Sequence, residues 1–244
     1  MPTACALPEG PGFANIRQQQ VLPLSGVTVL AVEDSRFASE ALRLLCQRSG
    51  ARLRRAETLA AARHHLAVYR PDVVLVDLGL PDGNGVDLIR ELAKNGAGAS
   101  VVLAISGDPD GWSAAMRAGA AGFLEKPVDS LARFQQVILG HLTGQPPGAA
   151  AVGAQRIQPD RQALRDDLIH AANLIETACD GPQQYIVDFV RGVARSAHDP
   201  ALEGAAVHAH TSAEALAGLG RVLQQRIRHG GDLFDRVASE KPCQ

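Results

Sequence analysis

Short apolar segments alternate with helical segments from residue 26 to residue 143, and this alternation constrains the fold more than any other feature. The segments are VTVLAV at 27–32, a weaker one at 52–56, DVVLVD at 72–77, SVVLAI at 100–105 and GFLE at 122–125. Strand–helix alternation is typical of a parallel sheet with helices on both faces. The three strongest segments are apolar nearly throughout, as expected for strands that are covered on both faces. The sequence therefore predicts an α/β domain with a doubly wound, five-stranded parallel sheet.

The rest of the chain divides by composition. Residues 1–25 contain four prolines and little periodicity, which predicts a flexible leader before a domain at 26–143. The segment 144–158 is rich in Gly, Pro and Ala and has few side chains that build a core, so it is typical of a linker. Residues 159–230 are then predicted to form a helical domain, and residues 231–244 a C-terminal tail.

Amphipathic helices replace strands after the linker. Apolar residues recur at steps of three and four in Arg161–Cys179, Gln183–Ala197 and Ala201–Ile227. Gly218 and Gly220 are candidates for a break in the last helix, although the apolar stripe continues through them. Three or four helices of this kind predict an all-α bundle or a dimerisation hairpin.

Carboxylates directly follow two of the predicted strands. Glu33 and Asp34 come after the first strand, and Asp77 comes after the third. Because groups just past the carboxyl ends of parallel strands converge at one edge of the sheet, we expect the three carboxylates to lie together. Negative charges that close repel and raise one another's pKa. A bound hard cation is the simplest resolution, and clustered carboxylates suit Mg²⁺.

Two further polar residues are expected at the same edge, Ser106 after the fourth strand and Lys126 after the fifth. A carboxylate such as that of Asp77 attacks phosphorus to form an acyl phosphate. Lys126 then pairs with a phosphoryl oxygen as a point charge. Ser106 hydrogen-bonds another phosphoryl oxygen only after transfer, which suits a two-state switch. The set of residues points to Mg²⁺-dependent phosphoryl transfer to Asp77.

Four short motifs occupy these strand ends: VEDS at 32–35, VDLGLPDGNG at 76–85, ISG at 105–107 and FLEKP at 123–127. With them, residues 27–142 resemble the receiver domain of bacterial two-component response regulators. The resemblance implies a flavodoxin-like fold and a phosphoryl group received from a histidine kinase or a histidine phosphotransfer protein. It also implies that the chain catalyses only its own phosphorylation and dephosphorylation and is otherwise not an enzyme.

The resemblance assigns a role to each acidic residue of the predicted edge. By this resemblance Asp77 is the phosphoacceptor. Glu33 and Asp34 are the acid pair that holds Mg²⁺ together with Asp77, and the backbone carbonyl of Gly79 supplies a further ligand.

The resemblance also assigns the residues that respond to phosphorylation. Lys126 pairs with the phosphoryl group, and Ser106 is the switch hydroxyl. Phe123, three residues before Lys126, is the switch aromatic that turns inward when the hydroxyl moves. The family further suggests a cis peptide bond before Pro127.

The sequence leaves more than one function open for the helical domain. Residues 151–244 carry 10 Lys and Arg against 12 Asp and Glu, a formal charge of −2, which argues against a DNA-binding output. A phosphorylation-switched interaction or dimerisation output fits this balance best, with an unidentified downstream protein or a second copy of the chain as partner. The alternative is a phosphorelay intermediate in which His170 or His210 carries phosphate, although neither lies in a family phosphotransfer motif. A DNA-binding regulator has the least support.

The N-terminal sequence and the hydropathy pattern bear on location. The first residues, MPTACALPEGPG, lack the basic start and apolar core of a secretory signal. No apolar run approaches the length of about 20 residues that a membrane-spanning helix needs. Together with the resemblance, these features predict a bacterial cytoplasmic protein that has no contact with a membrane.

Overall fold

The computed structural model describes residues 22–94, 100–108, 110–144, 155–177, 183–209 and 212–228. Within these ranges the chain forms an α/β part and a helical part, which pack against one another. Among the helices described, none is both long enough and apolar enough to cross a membrane. The predicted C-terminal tail at 231–244 lies outside the described residues.

The α/β part is built on a parallel sheet. Its elements are β1 (Thr28–Val32), α1 (Arg36–Ser49), β2 (Arg52–Ala56), α2 (Leu59–Val68), β3 (Val73–Asp77), β4 (Gly79–Leu80), β5 (Gly83–Asn84), α3 (Gly85–Lys94), β6 (Val101–Ser106), α4 (Gly111–Ala118), β7 (Gly122–Glu125) and α5 (Leu131–Thr143). The strand order in the five-stranded sheet is β2-β1-β3-β6-β7, and each neighbouring pair is parallel. The predicted doubly wound α/β fold is confirmed.

Helices cover both faces of this sheet, which explains why its central strands are apolar throughout. Every residue of β3 is buried. On one face α1 and α5 contribute Leu45 and Phe134 to the core. On the other face α2, α3 and α4 contribute Ala62, Ile89 and Ala115. Burial of apolar surface, at about 25 cal/mol per Å², is the main force that holds the three layers together.

A two-strand hairpin, β4–β5, follows β3, and the strand pattern of the sequence does not predict it. Its two strands pair antiparallel, and α3 begins immediately after it at Gly85. A Cβ atom at Gly85 would overlap the carbonyl oxygen of Asp77 and come within 2.9 Å of Val76 Cγ1. Only glycine allows α3 to start so close to β3, and this close start fixes the chain around Asp77.

The structure corrects two predicted domain boundaries. Leu24, which the sequence assigned to a flexible leader, is fully buried, and its N–H donates to the Ser49 carbonyl at 2.8 Å. Ile157, which the sequence assigned to the linker, is buried in the same core, and its N–H donates to the Asp129 carbonyl at 2.9 Å. In each case one bulky side chain in a Gly- and Pro-rich segment is enough to attach that segment to the sheet domain. The middle of the linker, 145–154, lies outside the described residues.

The helical part contains α6 (Arg161–Thr177), α7 (Gln183–Ser196), α8 (Pro200–Ala209) and α9 (Ala213–Arg228). Helix α9 packs against α6 and α8, and α7 packs against α6 and α8. The described helices share one apolar core that includes Leu168, Val190, Leu202 and Leu219. Of the two predicted arrangements, the structure shows the bundle.

The break in the last predicted helix lies earlier than the glycines. Helix α8 ends at Ala209, and α9 runs through both Gly218 and Gly220. The hydroxyl of Ser212 accepts a hydrogen bond from the Ala215 N–H at 3.1 Å, which caps the start of α9. A capping hydroxyl favours a helix start at this point more strongly than two glycines favour a break within the stripe.

Asp199 links the start of α8 to α9, and replacing it tests how much this link stabilises the bundle. Its carboxylate accepts from the Leu202 N–H at 2.9 Å and from Arg226 Nε at 2.8 Å. Burial raises the pKa of Asp199, but hydrogen bonds from Arg226 and from the α8 backbone outweigh it and hold the pKa below its usual value. We expect Asp199→Asn to lower the free energy of unfolding at pH 7 by about 0.5–1 kcal/mol, allowing for solvent screening.

The pH dependence of this effect has a defined sign. A carboxyl with a lowered pKa stabilises the fold above its unfolded pKa, and the contribution is lost as the pH falls through the folded value. In urea unfolding, the difference between wild type and Asp199→Asn should therefore shrink as the pH falls below about 4. A difference that stays constant on acidification would contradict the ionic origin of the contact.

Candidate functional site

Three carboxylates meet at the carboxyl ends of β1 and β3, which are neighbours in the sheet. Glu33 and Asp34 directly follow β1, and Asp77 is the last residue of β3. One carboxylate oxygen from each residue lies within 4.8 Å of the other two. Glu33 and Asp77 are buried, and Asp34 is half-buried. The structure brings together the acids that the sequence places at the two strand ends.

Lys126 lies between two of these carboxylates. It follows β7, and its backbone N–H donates to the Ser106 carbonyl at 2.9 Å. Its buried Nζ lies 2.7 Å from Asp77 Oδ2 and 2.9 Å from Glu33 Oε2. The peptide bond between Lys126 and Pro127 is cis, as the family suggests. One ammonium facing three carboxyl groups leaves the pocket with an excess of negative charge when all are ionised.

The pKa values of the pocket reflect this crowding. Burial raises the pKa of Glu33 well above its usual value, with Lys126 opposing the rise and Asp77 and Asp34 adding to it. Burial, followed by the charge of Asp77, raises the pKa of Asp34 to about 7. Burial lowers the pKa of Lys126, but Asp77 and Glu33 outweigh it, so the pKa is raised and the ammonium stays charged. A further cation in the pocket would reduce the electrostatic repulsion between these carboxylates.

The residues of the pocket fit Mg²⁺. Lys126 Nζ donates to Glu33 Oε1 at 3.1 Å, and the buried Oε2, 2.9 Å from the same ammonium, accepts no hydrogen bond. A buried carboxylate oxygen that accepts no hydrogen bond, next to oxygen atoms of two more carboxylates, is a suitable ligand for a hard cation. Glu33, Asp34 and Asp77 would hold the ion. Gly79, whose carbonyl the resemblance assigns to the metal, lines the same cavity.

This cavity, of about 330 Å³, lies next to Asp77 and includes Ser106 in its wall. Ser106 Oγ accepts a hydrogen bond from the Asp108 N–H at 3.0 Å, so the hydroxyl is engaged with its own loop. Phe123 is half-buried and packs against the core on the α2–α4 face. It is not among the described residues that line the cavity.

Helix α7 of the bundle covers the cavity. The hydroxyl of Tyr185 donates to Asp34 Oδ2 at 2.6 Å. Burial, followed by the charge of Asp34, raises the pKa of Tyr185, which keeps this hydroxyl protonated as a donor. Two turns further along, a Cβ atom at Gly192 would lie 3.7 Å from Lys126 Nζ. The helical domain therefore contacts an acidic residue of the pocket, and its backbone at Gly192 lines the same cavity as Lys126.

Helix α6 supplies the hydrogen-bond acceptor for the N-terminus of α1. The buried carboxylate of Asp167 accepts hydrogen bonds from Ser35 Oγ at 2.7 Å, from the Arg36 N–H at 2.9 Å and from the Phe37 N–H at 3.0 Å. The side chain of Phe37 packs into the core of the bundle. Ser35, the N-cap of α1, directly follows Glu33 and Asp34, so the helical domain helps to position the acid pair.

A family model described as the response regulator receiver domain matches residues 29–138. These residues form a receiver domain of that family. The chain is 38% identical over 99 residues to the KDP operon transcriptional regulatory protein KdpE of Escherichia coli K12, which is 41% of this chain and 44% of that protein. It is 31% identical over 116 residues to the virulence transcriptional regulatory protein PhoP of Salmonella typhimurium, which is 45% of this chain and 51% of that protein. The chain thus spans about half the length of these curated relatives.

Solved structures of receiver domains match about half of the chain. A CheY-like response regulator receiver domain protein from Methanospirillum hungatei JF-1 is 21% identical, with a TM-score of 0.45, and the match covers 49% of this chain and 95% of that one. The beryllofluoride-activated NtrC4 receiver domain dimer is 31% identical, with a TM-score of 0.44, and the match covers 48% of this chain and 97% of that one.

The two histidines proposed to carry phosphate differ in their placement. His170 is exposed on α6, and its ring meets that of Phe189 edge-on at a centroid distance of 5.5 Å. His170 lines a depression beside Asp34 and Tyr185. It is not among the described residues that line the cavity next to Asp77. His210 lies outside the described residues.

Sequence reasoning missed the residues through which the helical domain contacts the receiver domain. Asp167 offered a signal, because it is an acidic residue within the apolar stripe of α6, three residues after Leu164 and directly before Leu168. An acid on a buried helix face needs partners. Tyr185 offered no such signal, since its neighbours on α7 are those of an ordinary amphipathic helix.

Proposed function

We propose that the protein is a response regulator whose Asp77 accepts a phosphoryl group from a phosphohistidine donor. The observation that carries the proposal is the 2.7 Å contact between Asp77 Oδ2 and Lys126 Nζ, in an acidic pocket of a receiver domain. An oxygen of Asp77 attacks phosphorus, and the P–N bond to the donor imidazole breaks. The imidazole keeps the bonding electron pair and takes up a proton, and the product is an acyl phosphate on Asp77.

Lys126 and Ser106 are proposed to stabilise the product. The ammonium of Lys126 is in place to bind a phosphoryl oxygen, because it already contacts Asp77. Ser106 Oγ would donate to a second phosphoryl oxygen, and the loop after β6 would shift with it. Phe123 would then turn toward the space that the hydroxyl leaves.

The pocket's carboxylates would bind Mg²⁺, which supplies positive charge that offsets the repulsion between them and the incoming phosphoryl group. Glu33, Asp34 and Asp77 form its ligand set in this proposal, with the Gly79 carbonyl. The chain itself catalyses no reaction other than gaining and losing its own phosphoryl group. A cytoplasmic location follows from a donor of the histidine kinase or phosphotransfer class.

The proposed output is a change in the contact between the receiver domain and the helical domain. Support comes from the position of α7, where Tyr185 bonds to Asp34 and the side chain of Arg195 packs on Gly107. Gly107 directly follows Ser106, so movement of the switch loop acts on α7. A downstream protein would then bind the helical domain according to the state of Asp77, and a second copy of the chain is one candidate.

A phosphorelay is the second candidate, and it has less support. His170 would have to leave its contact with Phe189 and reach a cavity that it does not line. The names of the curated relatives suggest regulation of transcription as a third. The formal charge of −2 on residues 151–244 makes strong duplex binding the weaker expectation.

Labelling with acetyl phosphate tests the proposal. Full-length protein is incubated with ³²P-acetyl phosphate with and without Mg²⁺, and the product is then reduced with borohydride, which converts an aspartyl phosphate to homoserine. We expect Mg²⁺-dependent label and homoserine at position 77. Homoserine at a different position, or stable label on a histidine without reducible aspartyl phosphate, would contradict the proposal.

A further inference from the structure

Arg191, on α7, brings a cation of the helical domain to the wall of the phosphoacceptor cavity. It lines this cavity together with Asp77 and Ser106. Its Nε is buried and has no hydrogen-bond partner, and its Nη1 lies 3.5 Å from Asp188 Oδ1, a long contact. Buried N–H groups of a guanidinium rarely stay without an acceptor. Arg191 therefore carries donor capacity that this state of the protein does not use.

The neighbours of Arg191 show how closely α7 approaches the phosphoacceptor. A Cβ atom at Gly192 would lie 3.7 Å from Lys126 Nζ, which is 2.7 Å from Asp77 Oδ2. A Cβ atom at Gly107 would lie 3.0 Å from Arg195 Cδ and 3.2 Å from Arg195 Nη1. Helix α7 thus contacts the pocket before Arg191, where Tyr185 bonds to Asp34, and approaches it again after Arg191, at Gly192 and Arg195.

Arg195 is already committed to another group. Its Nε lies 2.5 Å from Glu203 Oε1, on α8. The guanidinium of Arg195 is therefore paired with a carboxylate within the bundle. The Nε of Arg191, by contrast, has no acceptor. Of the two arginines that α7 presents to the cavity, Arg191 is the one available to a new anion.

We propose that Arg191 binds the phosphoryl group on Asp77, so that phosphorylation holds α7 more firmly against the receiver domain; this rests on the proposed function of Asp77. Phosphorylation replaces a carboxylate by a group with more negative charge and three strong acceptor oxygens. A guanidinium offers several N–H donors in a planar fork that suits such a group. The helical domain would then detect the phosphoryl group by direct contact, in addition to any movement of Ser106.

Titration with beryllofluoride, a mimic of the phosphoryl group on an aspartate, tests this contact. Full-length wild type, Arg191→Met, Arg191→Lys and the control Arg221→Met, an exposed arginine of α9, are saturated with Mg²⁺ and titrated by calorimetry. We expect Arg191→Met to raise the dissociation constant about tenfold or more, the size typical of a lost hydrogen bond to a charged group. Arg191→Lys should raise it less, because the charge remains, and Arg221→Met should match wild type.

Titration with Mg²⁺ alone separates binding from damage to the pocket. Loss of a positive charge beside the carboxylates should leave the affinity for Mg²⁺ unchanged or increase it. A parallel loss of Mg²⁺ and beryllofluoride binding in Arg191→Met and Arg191→Lys would mean that Arg191 only supports the fold, which overturns the inference.

Two further outcomes are distinguishable. Equal beryllofluoride affinity in Arg191→Met and wild type overturns the inference and leaves the proposed function of Asp77 intact. Wild type that fails to bind beryllofluoride, or binds it equally well as Asp77→Asn, overturns the proposed function itself and the inference with it.

Discussion

Replacing Asp77 by Asn is expected to abolish labelling of the protein by ³²P-acetyl phosphate in the presence of Mg²⁺. The amide has nearly the shape of the carboxylate but lacks its nucleophilic oxygen, so no acyl phosphate forms. Removal of a nucleophile typically lowers the rate by at least about a thousandfold, which places the label at background. The measurement is the amount of protein-bound ³²P over time.

Asp87→Asn is the matched control for this variant. Asp87 is an exposed carboxylate of α3 in the same domain, where it pairs with Arg90 on the surface. It should be labelled at the wild-type rate. Label on Asp77→Asn at more than a small fraction of the wild-type rate would show that a different carboxylate of the pocket accepts the group.

The second large effect is expected at the contact between α6 and α1. Asp167→Ala removes the acceptor for Ser35 Oγ and for the N–H groups of Arg36 and Phe37. Ser35 is the N-cap of α1, and the two N–H groups belong to its first turn, where the helix itself supplies no acceptor for them. We expect the free energy of unfolding to fall by about 2–4 kcal/mol, the range for a lost helix cap together with buried donors left unpaired.

Asp167→Asn should have a smaller effect than Asp167→Ala. Burial raises the pKa of Asp167, and the hydrogen bonds from Phe37, Ser35 and Arg36 only partly oppose this. The charge of the carboxylate is therefore not itself favoured at this position. A neutral amide retains an acceptor oxygen for some of the donors.

Asp166→Ala is the matched control on the same helix. Asp166 pairs with Arg36 at 3.1 Å, and Arg36 is 63% exposed in its side chain. Exposed pairs of this kind contribute about 0–1 kcal/mol. Urea unfolding gives the free energies, and hydrogen exchange at residues 36–38 reports the cap directly. Equal protection of these amides in Asp167→Ala and Asp166→Ala would contradict the role of Asp167.

The receiver domain and its acidic pocket were largely predictable because each depends on a local pattern. An apolar segment flanked by turns predicts a buried strand, and the residue after a parallel strand falls at one edge of the sheet. Glu33, Asp34 and Asp77 are therefore placed together by strand ends alone. The hairpin at Gly79–Asn84 was not predictable in this way, because each of its strands has two residues and shows no periodicity.

Boundaries were less predictable than elements. Leu24 and Ile157 each lie in a segment whose composition resembles a loop, yet each is buried in the receiver core. Composition is averaged over many residues, whereas a single side chain that fills a gap beside α1 and α5 decides the boundary. The start of α9 was similarly decided by the hydroxyl of Ser212 and not by the glycines of the stripe.

By itself, the sequence determined a parallel sheet, a set of acids with a lysine at its edge, and an amphipathic helical domain after a linker. These features follow from short-range periodicity and from the order of strand ends. Only the tertiary structure decided which surface of the helices meets the receiver domain. Tyr185 and Asp34 are 151 residues apart in the chain, and no periodic pattern encodes a contact between side chains so distant. Their pairing depends on the complementary shape and polarity of two folded surfaces, which exist only once both domains have formed.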